Sequence, residues 1–400
     1  MSILAAETEK KDVKAVATYV IQLAAAAVNS TSAPEKPEAV SWEDVFDFAE
    51  KQSVLNLVSY ACETLKNKPK GKGMQYLREF RKQKMIVEAE QQIEAEDVMD
   101  RLEKAGIRHM PLKGFVVKNL YPSPDMRTMS DIDMLLDAER IDDAVEMLTS
   151  HGFSFHSDGD LHANVVHGNA HFEFHRSLVN ESYKNLTAYF GDGFSRAVRV
   201  DGYNCRYELS REDMYIFLLA HLAKHYRYGG TGIRTVLDLY VYRKAYADLD
   251  MDYIYAETEK IGLDKFQRHA EAVADEWFSG GFDGMFNDIS AYIISGGVYG
   301  MRGLFLVNEV INESEGKSLA FGKFKKIFLM VFPKYTLMCE LFPMLKKHKI
   351  LMPLYWVIRW IKSLTGRNSN LKNTIHASSD ILNASDETIA AQRAAELGEL

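Results

Sequence analysis

The hydrophobic period changes twice along this chain, and that limits the architectures open to it. Residues 72–104 carry mixed charge without proline and read as one long helix, which Gly106 stops. Beyond it, Ile107–Leu112, Ile132–Leu136, Phe153–His156, Ala163–Val166 and Ala170–Leu178 read as short strands. Phe115–Leu120 and Ala138–Ser150 read as helices among them, and Tyr121–Asp125 as a loop. From Arg211 the helical period returns, in Glu212–Tyr226, Val236–Ala247, Tyr253–Ile261 and Lys265–Phe278. A block of strands set between helical regions predicts an α+β fold: a small mixed β-sheet with helices, flanked by N- and C-terminal helical regions.

The expected organisation follows. Residues 1–105 form an N-terminal helical region, 106–210 a sheet-containing domain, 211–315 a helical domain, 316–364 basic helices, and 365–400 a polar, disordered tail. Ser30–Pro37 reads as a linker, and Ser41 with Asp44 three residues on is placed to cap a helix; two short helices then cover Trp42–Lys66. Ala15–Val28 looks like a signal peptide, but Glu7, Glu9 and Asp12 stand where a positive flank belongs, so it reads as an amphipathic helix. No apolar run reaches the ~18–20 residues of a membrane span. Cys62, Cys205 and Cys339 are far apart with no CxxC pair, which argues against a disulfide framework or a structural zinc site and fits a reducing, cytoplasmic setting. The net charge of −8 gives no general attraction for nucleic acid and argues against it as the main partner.

The chemistry-bearing residues begin with Asp131-Ile132-Asp133, at the start of an apolar strand. Strand side chains two apart share a face, so two carboxylates are held side by side, and like charges that close call for a cation or strong donors. Oxygen ligands suit hard divalent cations. The plainer alternative is a surface Asp pair at a strand end. His171-Phe172-Glu173-Phe174-His175 alternates as a half-buried strand does, with the two Phe on one face and Glu173 and both His on the other. Glu173 therefore offers a third carboxylate, and His175 a group beside it.

Pro111-Leu112-Lys113-Gly114 sits where a strand turns into a short helix. Glycine permits close backbone approach to a ligand, and Lys113 adds positive charge. Arg127, four residues before Asp131, suits either a phosphate or neutralisation of the Asp pair. His221 and His225 share a helix face without the Glu of an H-E-x-x-H zinc motif, so they read as lining a cleft or packing at a core edge. The glycines at 229, 230 and 232 follow no strand and precede no Lys-Ser/Thr, so they read as a helix–helix turn.

The order Leu112-Lys113-Gly114, Tyr121-Pro122, Arg127, Asp131-Ile132-Asp133 and Glu173-Phe174-His175 resembles an uncharacterised bacterial nucleotidyltransferase family within the polymerase-beta-like superfamily. His221, His225 and Asp238 resemble its helical region, Phe332-Pro333, Phe342-Pro343 and Leu354–Arg359 its C-terminal helices, and Trp42–Leu65 its lead-in. The resemblance implies a nucleotidyltransferase-type fold that moves a nucleoside monophosphate from an NTP to an acceptor and releases pyrophosphate. It implies Asp131, Asp133 and Glu173 as catalytic carboxylates holding Mg²⁺ or Mn²⁺. Lys113, Gly114, Arg127, Ser130 and His175 would be the groups around the nucleotide. The acceptor class stays open: a small molecule, a saccharide or a protein. One departure stands out. The superfamily's Gly-Ser or Gly-Gly is Lys113-Gly114 here, with a longer gap to the acidic strand, so Lys113 replaces the phosphate-holding serine or triphosphate binding is altered.

Two rivals remain at the level of sequence. One is a metallohydrolase using Asp131, Asp133, His171, Glu173 and His175; the other is a non-catalytic nucleotide sensor. Separately, residues 323–364 set nine Lys and Arg against Glu340 alone. They suit either peripheral contact with an anionic surface or helices packed on the catalytic domain with lysines outward.

Overall fold

A computed structural model of the chain describes residues 6–157, 162–180, 183–228 and 231–296, together with 321, 324–325, 328–329, 331–335, 338–339, 342–346 and 348–364. The glycines expected to turn the chain at 229 and 230, and the tail expected at 365–400, lie outside the described residues.

The N-terminal part is helical: α1 (Ala6–Asn29), α2 (Trp42–Lys51), α3 (Leu55–Cys62) and α4 (Lys72–Lys104). The apolar stretch within α1 is a core helix, and its polar interruption is satisfied: Gln22 Nε2 donates to the Phe282 carbonyl at 2.7 Å. Ser41 caps α2 as its position predicts, its Oγ accepting from the Asp44 amide at 3.1 Å. α4 ends in a Schellman motif. The Ile107 amide reaches back to the Leu102 carbonyl at 2.9 Å, and Gly106 takes φ +66, a conformation that costs glycine nothing.

The sheet follows, with β1 (His109–Pro111), α5 (Lys113–Val117), β2 (Ile132–Leu136), α6 (Ile141–Ser150), β3 (Ser154–Ser157), β4 (His162–His167) and β5 (Ala170–His175). Its spatial order is β1-β2-β5-β4-β3, with β2 and β5 parallel and the other pairs antiparallel. The expected small mixed sheet is present, with changed edges. β1 is shorter than Ile107–Leu112, β5 ends at His175 rather than Leu178, and the expected loop at Tyr121–Asp125 runs into a 3-10 turn, Pro124–Met126. A second ribbon, β6 (Ala197–Arg199) with β7 (Tyr207–Leu209), was not legible, because three-residue strands carry too little alternation to register.

Period-two alternation divides the sheet chemically. Ile132, Met134 and Leu136 of β2, Phe172 and Phe174 of β5, and Ala163 and Val165 of β4 join Ala95, Val98 and Leu102 of α4 and Ile141, Ala144 and Leu148 of α6 in one buried cluster. Helices therefore cover that face. The polar positions between them, Asp133, Glu173 and His175, point to the other face.

Helices α7 (Lys184–Phe190), α8 (Arg211–Tyr228), α9 (Ile233–Ala245), α10 (Met251–Lys260), α11 (Asp264–Phe278) and α12 (Asp288–Gly296) follow. α8, α9 and α11 share one hydrophobic core with α1, α2 and α3, so N-terminal helices and the helices after residue 211 pack together. Farther along, α13 (Met352–Leu364) packs on a small cluster made by Met338, Cys339 and Leu345. Among the described residues no helix is long and apolar enough to cross a membrane.

Candidate functional site

The parallel pairing of β2 with β5 sets the geometry. Asp133 stands in register with Glu173, so the two carboxyl-bearing side chains leave the same sheet face on adjacent strands. His175 follows two residues on, and its Nε2 lies 2.7 Å from Asp133 Oδ1 and 3.8 Å from Glu173 Oε2. A carboxylate only accepts, so in this arrangement His175 carries its proton on Nε2. Ligand atoms of Asp133, Glu173 and His175 all fall within 4.8 Å of one another. Asp131 precedes β2 and accepts from Ser130 Oγ at 2.6 Å.

Lys113 closes the cluster from the β1 side. It takes φ +47, a left-handed conformation that costs a side-chain-bearing residue about 1–2 kcal/mol, and its Nζ donates to Asp133 Oδ1 at 2.5 Å. Burial alone would raise the Asp133 carboxyl, but the Lys113 charge and the His175 hydrogen bond outweigh it and hold Asp133 well below the usual carboxylate range. Glu173 is pushed the opposite way, first by burial and then by the negative charges of Asp131 and Asp133. Burial also lowers His175, with Lys113 adding to the effect against the pull of Asp133.

The cluster opens into a cleft of about 460 Å³. Lys113, Gly114, Arg127, Ser130, Asp131, Asp133, Glu173 and His175 all line it, so the sheet and its loops bring the whole set of sequence-derived candidates together. His171 is on the same strand face but exposed and outside the cleft lining, which removes one ligand from the metallohydrolase arrangement. The opposite wall comes from α8 and α9, through His221, Lys224, His225 and Arg234. Lys224 and Arg234 were missed. The signal was available for Lys224, which lies three residues from His221 on the helix face already marked by the histidine pair. Burial, then Lys113, lowers Lys224 to about 8, so it remains largely charged at neutral pH. His225 falls to about 4, through burial and then Lys224 and Lys113.

Arg127 and Gly114 differ from their sequence reading. The Arg127 guanidinium feels the Asp131 charge but does not stand ready for a bidentate phosphate. Its fork is spent on Asp238 of α9, with Nε to Oδ1 at 3.2 Å and Nη2 to Oδ2 at 2.8 Å. Tyr121 donates its hydroxyl to the same Asp238 Oδ1 at 2.8 Å, and burial followed by the Asp238 charge keeps that phenol protonated. This buried knot ties the loop before Asp131 to the helical wall. Gly114 packs under it: a Cβ there would lie 2.6 Å from Arg127 Nη1. The close approach made possible by the glycine is to Arg127.

The donor set fits a divalent cation. The carboxylates of Asp133 and Glu173 converge with the His175 imidazole, and Asp131 adds negative charge nearby. His175 can join through Nε2 once its proton sits on Nδ1.

A family model described as uncharacterised nucleotidyltransferase matches residues 38–279, a span that takes in the sheet, the acidic cluster and both walls of the cleft. No curated protein and no solved structure matches the chain.

Proposed function

The chain belongs to the uncharacterised nucleotidyltransferase family, and on that premise we propose that it moves a nucleoside monophosphate from an NTP to an acceptor, with release of pyrophosphate. One observation carries the reading: Asp133 and Glu173 stand side by side in register on a parallel strand pair, lining a cleft whose far wall is basic. In the proposal Asp131, Asp133 and Glu173, with His175, hold Mg²⁺ or Mn²⁺. A divalent cation there supplies charge stabilisation for the attacking and leaving oxygens.

The protein's own groups do the rest. Lys113, Lys224 and Arg234 reach the cleft from three separate elements and offer positive charge to a polyphosphate. Such reactions depend on positioning and electrostatics more than on covalent help, so converging cations and carboxylates are what the chemistry needs. Glu173, made more basic by burial and its acidic neighbours, is the group to take the proton from an acceptor hydroxyl. Arg127 acts through Asp238, holding the Asp131 loop against α9. The acceptor is a small molecule, a saccharide or a protein.

The test is a transfer assay. Each of the four NTPs, labelled at the α-phosphate, is incubated with Mg²⁺ or Mn²⁺ and fractionated acceptor pools, and both labelled product and pyrophosphate are measured. Asp133→Asn should lower transfer on the order of 10²–10³-fold, the scale for losing one preorganised electrostatic group. Transfer at the wild-type rate by that variant would overturn the assignment. A nucleotide-binding role without turnover draws support from one contact: Lys113 already sits on Asp133, where a cation would go. NTP binding by calorimetry, without transfer in any acceptor pool, would favour it.

A further inference from the structure

Charge is strongly segregated in this chain. Residues 321–364 hold eight lysines and one arginine against Glu340 alone, a net +8, whereas the whole chain carries −8, so the remainder carries −16. The same segment exposes large apolar side chains. Helix α13 turns Met352, Tyr355 and Trp356 toward its own small core, and Trp356 Nε1 anchors it to the Pro333 carbonyl at 3.2 Å. The other side presents Leu354 and Val357, exposed by 54 and 55 %, and Ile350 ahead of the helix is exposed by 89 %. Leu354 and Val357, three residues apart, share one face of the helix, and Ile350 stands in the 3-10 turn Lys349–Leu351 just before it. Lys346 and Lys349 stand exposed in the turns that lead into the helix. Upstream, Phe324 and Phe328, exposed by 69 and 50 %, stack with ring centres 6.3 Å apart.

We propose that this C-terminal segment docks the protein on the surface of a bilayer containing anionic lipid. Cationic side chains beside an exposed aliphatic and aromatic stripe fit the boundary between acidic headgroups and acyl chains. The 13 residues of α13 are too few to span the hydrocarbon core, so the helix lies in the interface. A polynucleotide would satisfy the lysines but leave Ile350, Leu354 and Val357 in water. A second acidic protein would have to supply an apolar groove as well. A bilayer surface supplies both features at once.

The test uses the full chain and sedimentation with vesicles of phosphatidylcholine alone or mixed with phosphatidylglycerol, at low and high salt. Binding is expected to the mixed vesicles only, weaker at high salt. The triple variant Ile350→Ser, Leu354→Ser, Val357→Ser should lower that binding at least about tenfold, with an unchanged melting curve because all three side chains are already exposed. Absence of binding to the mixed vesicles, equal binding by the triple variant, displacement from vesicles by RNA, or a wild-type dimer that the triple variant loses would each overturn the proposal.

Discussion

Gly114→Ala separates two reasons for a glycine beside the cleft. On the present backbone the new Cβ would meet Arg127 Nη1 at 2.6 Å, Arg127 Cζ at 3.0 Å and Met129 Sδ at 3.0 Å. Arg127 cannot swing aside cheaply, because its side chain is 10 % exposed and two of its nitrogens are held by Asp238. Overpacking of this kind costs about 1–3 kcal/mol, and full displacement of the guanidinium, which strands a buried Asp238, costs about 3–5 kcal/mol. Alanine's better helix propensity returns about 1 kcal/mol. The expected net loss is about 0–2 kcal/mol where the neighbours only give way and about 2–4 kcal/mol where the guanidinium is displaced, read as a lower urea midpoint at unchanged slope. In an Arg127→Met, Asp238→Leu background the same substitution should cost less than about 1 kcal/mol, since the flexible thioether can give way and no ion pair is lost. Were the glycine there only to let a phosphate approach, Gly114→Ala would unfold at the wild-type midpoint and raise KM for the NTP instead. That result would refute the packing argument.

Two further outcomes follow from the same geometry. Lys113→Met removes the cation that pairs with Asp133, so added Mg²⁺ should raise the melting temperature more in the variant than in the wild type; equal Mg²⁺ responses by differential scanning fluorimetry would count against a shared cation position. His225 has its folded pKa lowered to about 4 from 6.5, so its neutral form contributes stability that is present above pH 6.5 and lost as pH falls toward 4. The difference corresponds to about 3 kcal/mol, and His225→Gln should reduce the drop in urea stability between pH 7 and pH 4 by a comparable amount, whereas parallel curves for the two proteins would dismiss it.

Much of the site was legible because its key relations are local. Strand periodicity is a property of the backbone, so Ile132-Asp133-Met134 and His171–His175 already specified which side chains share a face and which enter the core. The long helix, its stop at Gly106 and the cap at Ser41 are also short-range effects, and they appear where residue type put them. Tertiary structure decided the partners. Which strand would lie beside β2, and that Asp133 would meet Glu173 rather than a neighbour two residues away, depends on the crossing of the chain between residues 136 and 170. Arg127 found Asp238 across 111 positions, and Lys224 and Arg234 became the far wall of the cleft, through helix packing that no local pattern encodes. A side chain's chemistry and its facing are set within a few residues of itself. The charge it must answer to comes from whatever the packed core carries next to it.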